Sequence, residues 1–410
     1  MKPASLVGFF LLIPVVLALA VVPAALQASP ANSAPVRAIG TPAFSVYLPI
    51  IMKSHSGPAH LAYGANVAER SHAYYLQQMG FGWAKGFVEW RNADLGSGSY
   101  NWADLDNQAQ AFASYGRKML FRINGPPPSD VGNPPLSSSD LSRFQAFVQA
   151  AAAHLKSRGV DPVALEIWNE PNLDYEWGGR APSAAEYTAL LKAGYNGAKA
   201  ADPNAIVVSA GLATTGGTVS GLTAAEQMSA QAYFRAAAVA GDLAFIQGMY
   251  DAGARGFFSA LGSHPYGGPY PPNQDPTTAS GGMAFRRAEQ QYAVMQGNGD
   301  GATPVWATEF GWLVNTTCDL GYHNWFKVTE QQQSDYLVGA YQYADANWPW
   351  MAGMFLFNLD FGTVYWYAYC DTMRWFSIIY RENPQVDPNT PLLFRPAYAA
   401  LTNMAKRPAF

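Results

Sequence analysis

Two kinds of segment alternate along the chain. Short runs of continuously apolar residues are each followed by a longer segment in which apolar residues recur at helical spacing. Continuous apolar runs are typical of parallel strands buried on both faces, and their alternation with helices favours a parallel sheet. The predicted strands are Ala62–Asn66, Phe81–Val88, Lys118–Asn124, Ala164–Trp168, Ala205–Ser209, Phe257–Gly262, Pro304–Thr308 and Met351–Phe357. The predicted helices are Glu69–Met79, Trp102–Tyr115, Asp140–Ser157, Ala184–Ala201, Phe245–Ala254, Phe285–Met295, Gln331–Ala346 and Ala397–Lys406.

This pattern predicts an α/β fold of the (β/α)8, or TIM, barrel type. Eight strand–helix units are the number that closes a parallel sheet into such a barrel. The alternative is an open, doubly wound sheet, which normally carries a glycine-rich phosphate-binding turn after its first strand. Here the first predicted strand leads through Gly64–Val67, which lacks the G-x-G-x-x-G pattern. The sequence therefore favours one closed barrel.

The N-terminus has the pattern of an export signal. Lys2 precedes an almost wholly apolar run from Leu6 to Leu26, and small residues follow up to the expected cleavage point at Ala28. We predict a signal peptide over residues 1–28 and therefore a secreted protein. The apolar run is long enough to remain as a membrane anchor if it is not cleaved.

The rest of the chain divides into a linker and one catalytic domain. Residues 29–58 are rich in Pro, Ala and Ser, which is typical of a flexible linker. The alternating strands and helices then fill residues 59–410, the predicted barrel domain. The length of this segment is compatible with a single domain, because barrels of this kind often exceed 250 residues.

Composition excludes some classes of partner. Apolar residues make up 49% of the 410 residues, charged residues only 13%, and the formal net charge is −4. Nucleic acid requires a cationic surface, so we expect no nucleic-acid partner. The six histidines show no metal-binding spacing such as H-E-x-x-H, and we predict neither a metal nor another cofactor.

Two of the predicted strands end in a glutamate. Glu170 follows the fourth strand and Glu309 follows the seventh. Active sites of (β/α)8 barrels lie at the C-terminal ends of the strands, so both carboxylates should face one cleft. One such glutamate alone could cap a helix or pair with an arginine, but two at separate strand ends favour catalysis. Two facing carboxylates are what glycosidic-bond cleavage requires, one as acid and one as nucleophile or base.

The sequences around these glutamates resemble those of clan A glycoside hydrolases. The motif W-N-E-P-N at residues 168–172, taken with T-E-F-G-W at residues 308–312, is most similar to family 39 and to related bacterial cellulase-like proteins. The resemblance extends over about residues 60 to 405. It implies that Glu170 is the acid/base and Glu309 the nucleophile of a retaining mechanism.

The resemblance also implies roles for three neighbouring residues. Asn169 matches the residue that hydrogen-bonds the sugar 2-hydroxyl. His264 and Tyr266, in Ser263–Gly267 at the end of the sixth strand, match a His-x-Tyr pair beside the nucleophile. A tyrosine hydroxyl there would orient Glu309 and favour its ionised form.

The chain departs from the clan pattern at two strands. Many members carry an arginine on the second strand, where this chain has Lys85; Arg122 on the third strand is a candidate substitute. Many also carry a tryptophan at the end of the eighth strand, where this chain has none. Phe357, Asn358 or Trp366 could take its place.

Aromatic residues are abundant in the predicted loops at the same end of the barrel. We expect Trp90, Trp177, Trp312 and Trp366 in particular to bind sugar rings by stacking, and about half of the whole set to pack within the loops instead. The set comprises Trp90, Tyr175, Trp177, Trp312, Tyr322, Trp325, Tyr365, Trp366 and Tyr367.

The two cysteines fall in neighbouring loops. Cys318 follows the seventh strand and Cys370 the eighth, so both lie at one face of the predicted barrel. An even cysteine count in an exported chain permits a disulfide, and we predict one between them.

The leading functional hypothesis is a retaining glycosidase that cleaves a β-linked oligo- or polysaccharide by double displacement. Two alternatives remain: an inactive barrel that binds glycan, and a transglycosylase that acts on cell-surface glycan. The sequence leaves open the sugar, the linkage, exo or endo action and the oligomeric state.

Overall fold

The computed structural model describes residues 61–215 and 241–406. The predicted signal peptide, the predicted linker and the boundary between linker and barrel lie outside the described residues. Within the described ranges, no helix combines the length and the apolar character required to cross a bilayer.

The described chain is built on a closed barrel of eight parallel strands, which confirms the predicted fold. Consecutive strands are paired, and the first pairs with the last, with Ala62 opposite Gly353. The fifth strand is in two parts, of which one pairs with the fourth strand and the other with the sixth. The strands are β1 Ala62–Asn66, β2 Trp83–Glu89, β3 Lys118–Asn124, β4 Ala164–Ile167, β5 Ile206–Ser209 with Leu212–Ala213, β6 Leu261–His264, β7 Val305–Phe310 and β8 Met351–Leu356.

Helices follow the strands in the predicted order. The side chains of Ser137, Ser183 and Thr329 each accept a backbone N–H of the first turn, which stabilises three helix N-termini. The main helices are α1 Ala73–Gln78, α2 Ala103–Ser114, α3 Ser138–Ser157, α4 Ala184–Ala201, α5 Asp242–Asp251, α6 Arg287–Gly297, α7 Glu330–Asn347 and α8 Pro396–Asn403.

The barrel interior is apolar where the strands begin. Trp83 and Trp306 meet edge to face with ring centroids 5.3 Å apart, and Phe355 packs against both. A side chain on Gly64 would place its Cβ 2.4 Å from the Phe355 ring, so glycine is required at this position of β1. These large rings fill the barrel interior near the N-terminal ends of the strands and exclude water from it.

Smaller elements lie in the loops. The pairs Asp94–Gly96 with Ser99–Tyr100 and Ile379–Tyr380 with Leu393–Phe394 form short antiparallel hairpins. The segment Tyr175–Trp177 forms a single helical turn between β4 and α4. That turn borders the site described next.

Candidate active site

A cavity of about 580 Å³ opens at the C-terminal ends of the strands. We call it the cleft. Both strand-end glutamates, Glu170 and Glu309, line it, as the sequence predicted. Its wall also includes Phe87, Glu89, Arg122, Asn169, Tyr175, Glu176, Tyr266, Tyr322, His323, Phe326, Phe357, Phe361, Trp366 and Tyr367.

Glu309, on β7, is held by donors on three sides. The Tyr266 hydroxyl donates to Oε2 at 2.8 Å, Arg122 Nη1 donates to Oε1 at 2.7 Å, and Lys85 Nζ lies 3.3 Å from Oε1. Burial alone would raise the pKa of Glu309, but the charges of His264, Lys85 and Arg122 hold it below the ordinary value. The side chain is therefore an ionised carboxylate with a fixed orientation.

Glu170 lies just past the end of β4, where the backbone turns sharply. Its φ is +37°, a left-handed conformation that costs about 1–3 kcal/mol and is concentrated at functional sites. The Glu170 N–H donates to the carbonyl of Gly211 at 3.1 Å. The turn directs the side chain into the cleft, where it keeps 15% of its surface exposed.

One imidazole nitrogen joins the two carboxylates. His264 Nδ1 lies 2.8 Å from Glu170 Oε1 and 3.8 Å from Glu309 Oε2. These two oxygens are therefore at most about 6.6 Å apart, the sum of the two distances. The two carboxylates therefore face each other across a narrow part of the cleft.

His264 lies beneath the cleft rather than on its wall. Its side chain is fully buried beneath the cleft, because β6 places it against three carboxylates rather than at the surface. Burial alone would lower the pKa of His264, but Glu309, Glu166 and Glu170 raise it to about 9. The imidazole is thus a cation at neutral pH.

Lys85 is likewise buried and does not line the cleft. Its Nζ forms an ion pair with Glu166 at 2.7 Å and donates to the Thr308 carbonyl at 3.2 Å. Arg122 lines the cleft and donates to Glu309 directly, at the level where the clan pattern places an arginine of β2.

Glu166 is a buried charge beneath the cleft that the sequence pattern did not single out. It is fully buried on β4 and accepts hydrogen bonds from Thr308 Oγ1 at 2.6 Å and from the Gly211 N–H at 3.2 Å. Burial would raise its pKa, but Lys85 and then His264 lower it. A charge inside the apolar run Ala-Leu-Glu-Ile was the available signal, because an unpaired buried charge is costly.

Gly211 separates the two parts of β5 for a steric reason. A Cβ there would lie 2.1 Å from the His264 ring and 2.8 Å from Thr308 Oγ1. Because the strand is broken here, both polar backbone groups of Gly211 bond a glutamate. Its carbonyl accepts from the Glu170 N–H, and its N–H donates to the Glu166 carboxylate. Because the His264 ring and Thr308 lie so close to the Gly211 backbone, glycine is required at this position.

The buried imidazolium should make stability depend on pH. The pKa of His264 is raised in the folded state, so its contribution is complete below about pH 6.5 and is lost as pH rises through about 9. His264→Gln should therefore be less stable than the wild type near neutral pH, and that difference should shrink toward pH 9.5. Urea unfolding of both proteins across pH 6–9.5 measures it; a difference that stays constant would contradict this prediction.

The aromatic predictions divide by burial. Trp90, Trp177 and Trp312 are almost wholly buried, and none of them lines the cleft. Their indole N–H groups donate inward, to Asp94, Glu186 and the Tyr270 carbonyl respectively. In this structure these three rings pack within the loops.

Trp366 lies where the sequence predicted. It lines the cleft and is 55% exposed, next to Tyr367, while its neighbour Tyr365 is exposed but does not line the cleft. At the end of β8, Phe357 lines the cleft, whereas Asn358 is buried and bonds the Met373 carbonyl and the Phe361 N–H. Phe357 and Trp366 therefore contribute aromatic rings to the part of the cleft wall that follows β8.

The predicted disulfide between Cys318 and Cys370 is confirmed. It joins the loops that follow β7 and β8, and both loops contribute aromatic residues to the cleft wall. A bridge across 52 residues stabilises the fold by about 4 kcal/mol in the chain-entropy picture.

The arrangement contains no metal-type cluster. Among residues 61–215 and 241–406, no group of three or more His, Cys, Asp or Glu side chains is placed to hold a metal ion. The carboxylates at and beneath the cleft are instead bound to the cationic side chains of Lys85, Arg122 and His264.

Comparison with solved structures places the fold among glycosidases. No protein-family model and no curated protein matches the sequence. A family 39 glycoside hydrolase from Bacteroides cellulosilyticus WH2 is 18% identical with a TM-score of 0.56, covering 85% of this chain and 63% of its own. A glucosidase from Croceicoccus marinus is 15% identical with a TM-score of 0.59, covering 85% of this chain and 67% of its own.

A third relative differs in its stated specificity. An exo-β-1,4-mannosidase from Opitutaceae bacterium strain TAV5 is 13% identical with a TM-score of 0.53, covering 84% of this chain and 58% of its own. The chain thus spans less than two thirds of the family 39 enzyme and of the mannosidase. The resemblance to clan A glycosidases that the two motifs predicted is confirmed at the level of the fold.

Proposed function

We propose that the protein is a retaining glycosidase that hydrolyses β-linked oligo- or polysaccharides. The observation that carries the proposal is the pair Glu170 and Glu309, which face each other across one cleft with a single His264 nitrogen between them. The fold shared with known glycosidases supports the same activity.

The surroundings of the two glutamates support different roles. Glu309 is buried among Arg122, Lys85 and Tyr266, all of which favour a carboxylate fixed for attack. Glu170 is more exposed, and its one hydrogen-bonding side chain among the described residues is His264. Glu309 therefore suits the nucleophile, and Glu170 suits the group that exchanges a proton with the leaving oxygen and then with water.

The spacing supports retention. Retaining enzymes hold their carboxyl groups about 5–5.5 Å apart, and inverting enzymes about 6.5–9.5 Å apart to admit a water molecule between sugar and base. The facing oxygens Glu170 Oε1 and Glu309 Oε2 are at most about 6.6 Å apart, a separation compatible with the retaining spacing.

The reaction then proceeds in two displacements. Glu309 attacks the anomeric carbon while Glu170 protonates the departing oxygen, which breaks the glycosidic bond and leaves a glycosyl ester on Glu309. Glu170, now ionised, takes a proton from water, and the hydroxyl that forms displaces Glu309. The cation on His264 contacts both carboxylates and stabilises whichever of them is charged.

The stereochemistry of the first product tests the proposal. A panel of aryl β-glycosides identifies a cleaved sugar, and proton NMR then follows the anomeric signal during the first minutes. We expect the β-anomer to appear before mutarotation. An α-anomer formed first would contradict retention, and a protein that cleaves no member of the panel or of a polysaccharide set would contradict glycosidase activity.

Trp366 should contribute to binding of the longer substrates. Trp366→Ala is expected to raise KM for an oligosaccharide about 2- to 10-fold with little change in kcat, because one stacking contact contributes about 0.5–1.5 kcal/mol. Tyr365→Ala is the matched control, since this neighbour is exposed but does not line the cleft. Equal KM values for both variants would remove Trp366 from the binding surface.

We also propose that the protein acts outside the cytoplasm. The apolar N-terminal pattern of residues 1–28 supports export. The bond between Cys318 and Cys370 is of a kind that persists mainly in oxidising compartments. N-terminal sequencing of protein recovered from the culture medium of the native host tests this: a start after residue 28 supports export, and retention of the whole chain in the cytosol contradicts it.

A further inference from the structure

One buried carboxylate is connected to both strands that carry the proposed catalytic glutamates. Glu166 lies on β4, the strand that ends just before Glu170, and its side chain is fully buried. It accepts from the Thr308 hydroxyl at 2.6 Å, and Thr308 directly precedes Glu309 on β7. Since β4 and β7 are not neighbours in the sheet, this hydrogen bond crosses the barrel interior.

The same carboxylate is connected to Glu170 through the break in β5. The Gly211 N–H donates to Glu166 Oε1 at 3.2 Å, and the Gly211 carbonyl accepts from the Glu170 N–H at 3.1 Å. The second bond holds the backbone turn at which Glu170 has a φ of +37°. A left-handed φ at a residue other than glycine persists only where the surrounding contacts determine it. The position of Glu170 therefore depends on that of Glu166 through one backbone unit.

A lysine bonds Glu166 and the nucleophile strand together. Lys85 Nζ lies 2.7 Å from Glu166 Oε2. It also donates to the Thr308 carbonyl at 3.2 Å and to Glu309 Oε1 at 3.3 Å. Asn66 Nδ2 donates to the same Thr308 carbonyl at 3.1 Å. The hydroxyl and the carbonyl of Thr308 are thus both bonded to buried groups, which fixes the backbone from which Glu309 extends.

The simplest role for this buried set would be stability alone. A buried ion pair is weak evidence for that role, because the free energy of removing two charges from water offsets much of their attraction. The partners of Glu166 instead share one property: each adjoins a proposed catalytic glutamate in the chain or bonds one. These partners are Thr308, Gly211, Lys85 and His264.

We propose that Glu166 is a positioning residue that sets the separation of Glu170 and Glu309. It does so through two bonds, one to Thr308 on β7 and one to Gly211, whose carbonyl holds the Glu170 turn. Because the reaction depends on the spacing of the two carboxyl groups, Glu166 acts on its rate without contacting the sugar. The effect on rate rests on the proposed glycosidase function, whereas the effect on the separation does not.

Thr308→Val tests the bond to β7 without changing any charge. Valine occupies a similar volume but cannot donate to Glu166, so the backbone at Glu309 should shift. A displacement of about 1 Å can lower a rate about 100-fold, and we expect kcat to fall about 10- to 100-fold. KM should change less than about 2-fold, because Thr308 is fully buried and does not line the cleft. Thr308→Ser retains the hydroxyl and should recover most of the lost rate.

The loss should not depend on the leaving group. Because Thr308→Val displaces the attacking group, Glu309, we expect it to be slow on a dinitrophenyl glycoside as well as on an oligosaccharide. A loss confined to the oligosaccharide would contradict displacement of the nucleophile.

Glu166→Asp is a second variant that acts on both bonds. It keeps a charge beside Lys85 but withdraws the carboxylate from Thr308 and Gly211. We expect a loss of kcat at least as large as that of Thr308→Val. A wild-type rate in Glu166→Asp would overturn the proposal.

Thr188→Val is the matched control for loss of a buried hydroxyl. Thr188 is fully buried on α4, and its hydroxyl donates to the Ala184 carbonyl at 2.7 Å, outside the cleft. We expect it to lower the melting temperature while the wild-type kcat is retained. A wild-type kcat in Thr308→Val, or equal losses of kcat in Thr308→Val and Thr188→Val, would overturn the proposal.

Crystal structures of the same variants test the separation without any turnover. Catalytic groups need to be held within about 0.5 Å of their productive positions. We expect the distance between Glu170 Oε1 and Glu309 Oε2 in Thr308→Val to differ from that of the wild type by about 0.5 Å or more, and in Thr188→Val to match it. An unchanged distance in Thr308→Val would overturn the proposal even if the rate falls. If no glycoside is cleaved but the distance changes in Thr308→Val alone, the proposed function fails and the positioning role stands.

Discussion

Glu309→Gln is expected to lower kcat on an activated aryl β-glycoside by about 10⁴-fold or more, the scale of loss seen when a catalytic nucleophile is removed. Glutamine keeps the shape of the side chain, with its oxygen accepting from Arg122 and its NH2 group donating to the Tyr266 hydroxyl, but it does not attack the anomeric carbon. The change is therefore expected to leave the fold intact. Steady-state rates with thermal melting of the same samples measure both effects.

The control for this variant is the same substitution at an exposed position. Glu382 lies on the surface and outside the cleft, so Glu382→Gln should retain the wild-type rate. Near-wild-type turnover by Glu309→Gln would refute its role as nucleophile. A lost rate accompanied by a collapsed melting transition would call for Glu309→Asp, which keeps the charge for Lys85 but withdraws the oxygen, and which should also be slow.

Glu170→Ala should show a loss that depends on the leaving group. General acid catalysis contributes about 10²- to 10⁴-fold, and it is needed only when the departing oxygen is a poor leaving group. We expect a loss of that size for an oligosaccharide and a much smaller loss in the bond-breaking step for a dinitrophenyl glycoside. Pre-steady-state release of the phenol separates this step from the later attack by water.

Added azide provides a second test at the same position. A small anion can occupy the space vacated by Glu170 and attack the glycosyl ester without needing a base, so it should restore turnover and yield a β-glycosyl azide. The same azide should not rescue Glu309→Gln in this way, since no ester forms there. A loss in Glu170→Ala that is equal for all leaving groups and unaffected by azide would exclude the acid/base role.

The strands and helices were predictable because a parallel strand that is buried on both faces has a continuous run of apolar residues. Strand β3 and helix α4 have the predicted bounds. The break in β5 has no such sequence pattern, because it results from the short distance between Gly211 and His264, which are far apart along the chain. The short hairpins were missed for a similar reason: two- and three-residue strands are too short to show a period.

The position of Glu170 and Glu309 on one cleft was predictable because the C-terminal ends of the strands converge in a barrel. Whether a polar side chain near a strand end lies on the cleft surface or is buried beneath it was not predictable in the same way. Lys85 and His264 are polar residues at the expected strands, yet both are buried in a charged layer whose partners come from other strands. Pairing of this kind depends on distances that sequence spacing does not encode.

The loop tryptophans show the same limit. Their sequence context does not distinguish Trp366, on the cleft, from Trp312, whose indole donates to a carbonyl in another loop. Glu176 carried no signal either, since an acidic residue in a loop is ordinarily solvated. Its place on the cleft wall follows only from the three-dimensional structure.

The bond between Cys318 and Cys370 has a practical consequence for recombinant production. Chains made in a host cytoplasm that keeps thiols reduced would complete the barrel, whose strands do not depend on the bridge, but the two bridged loops would be free to separate. Such preparations should melt early and bind long glycans unevenly from batch to batch, while circular dichroism shows an ordinary α/β spectrum. Secretion into an oxidising periplasm, or refolding with a glutathione pair, should give material with one consistent affinity.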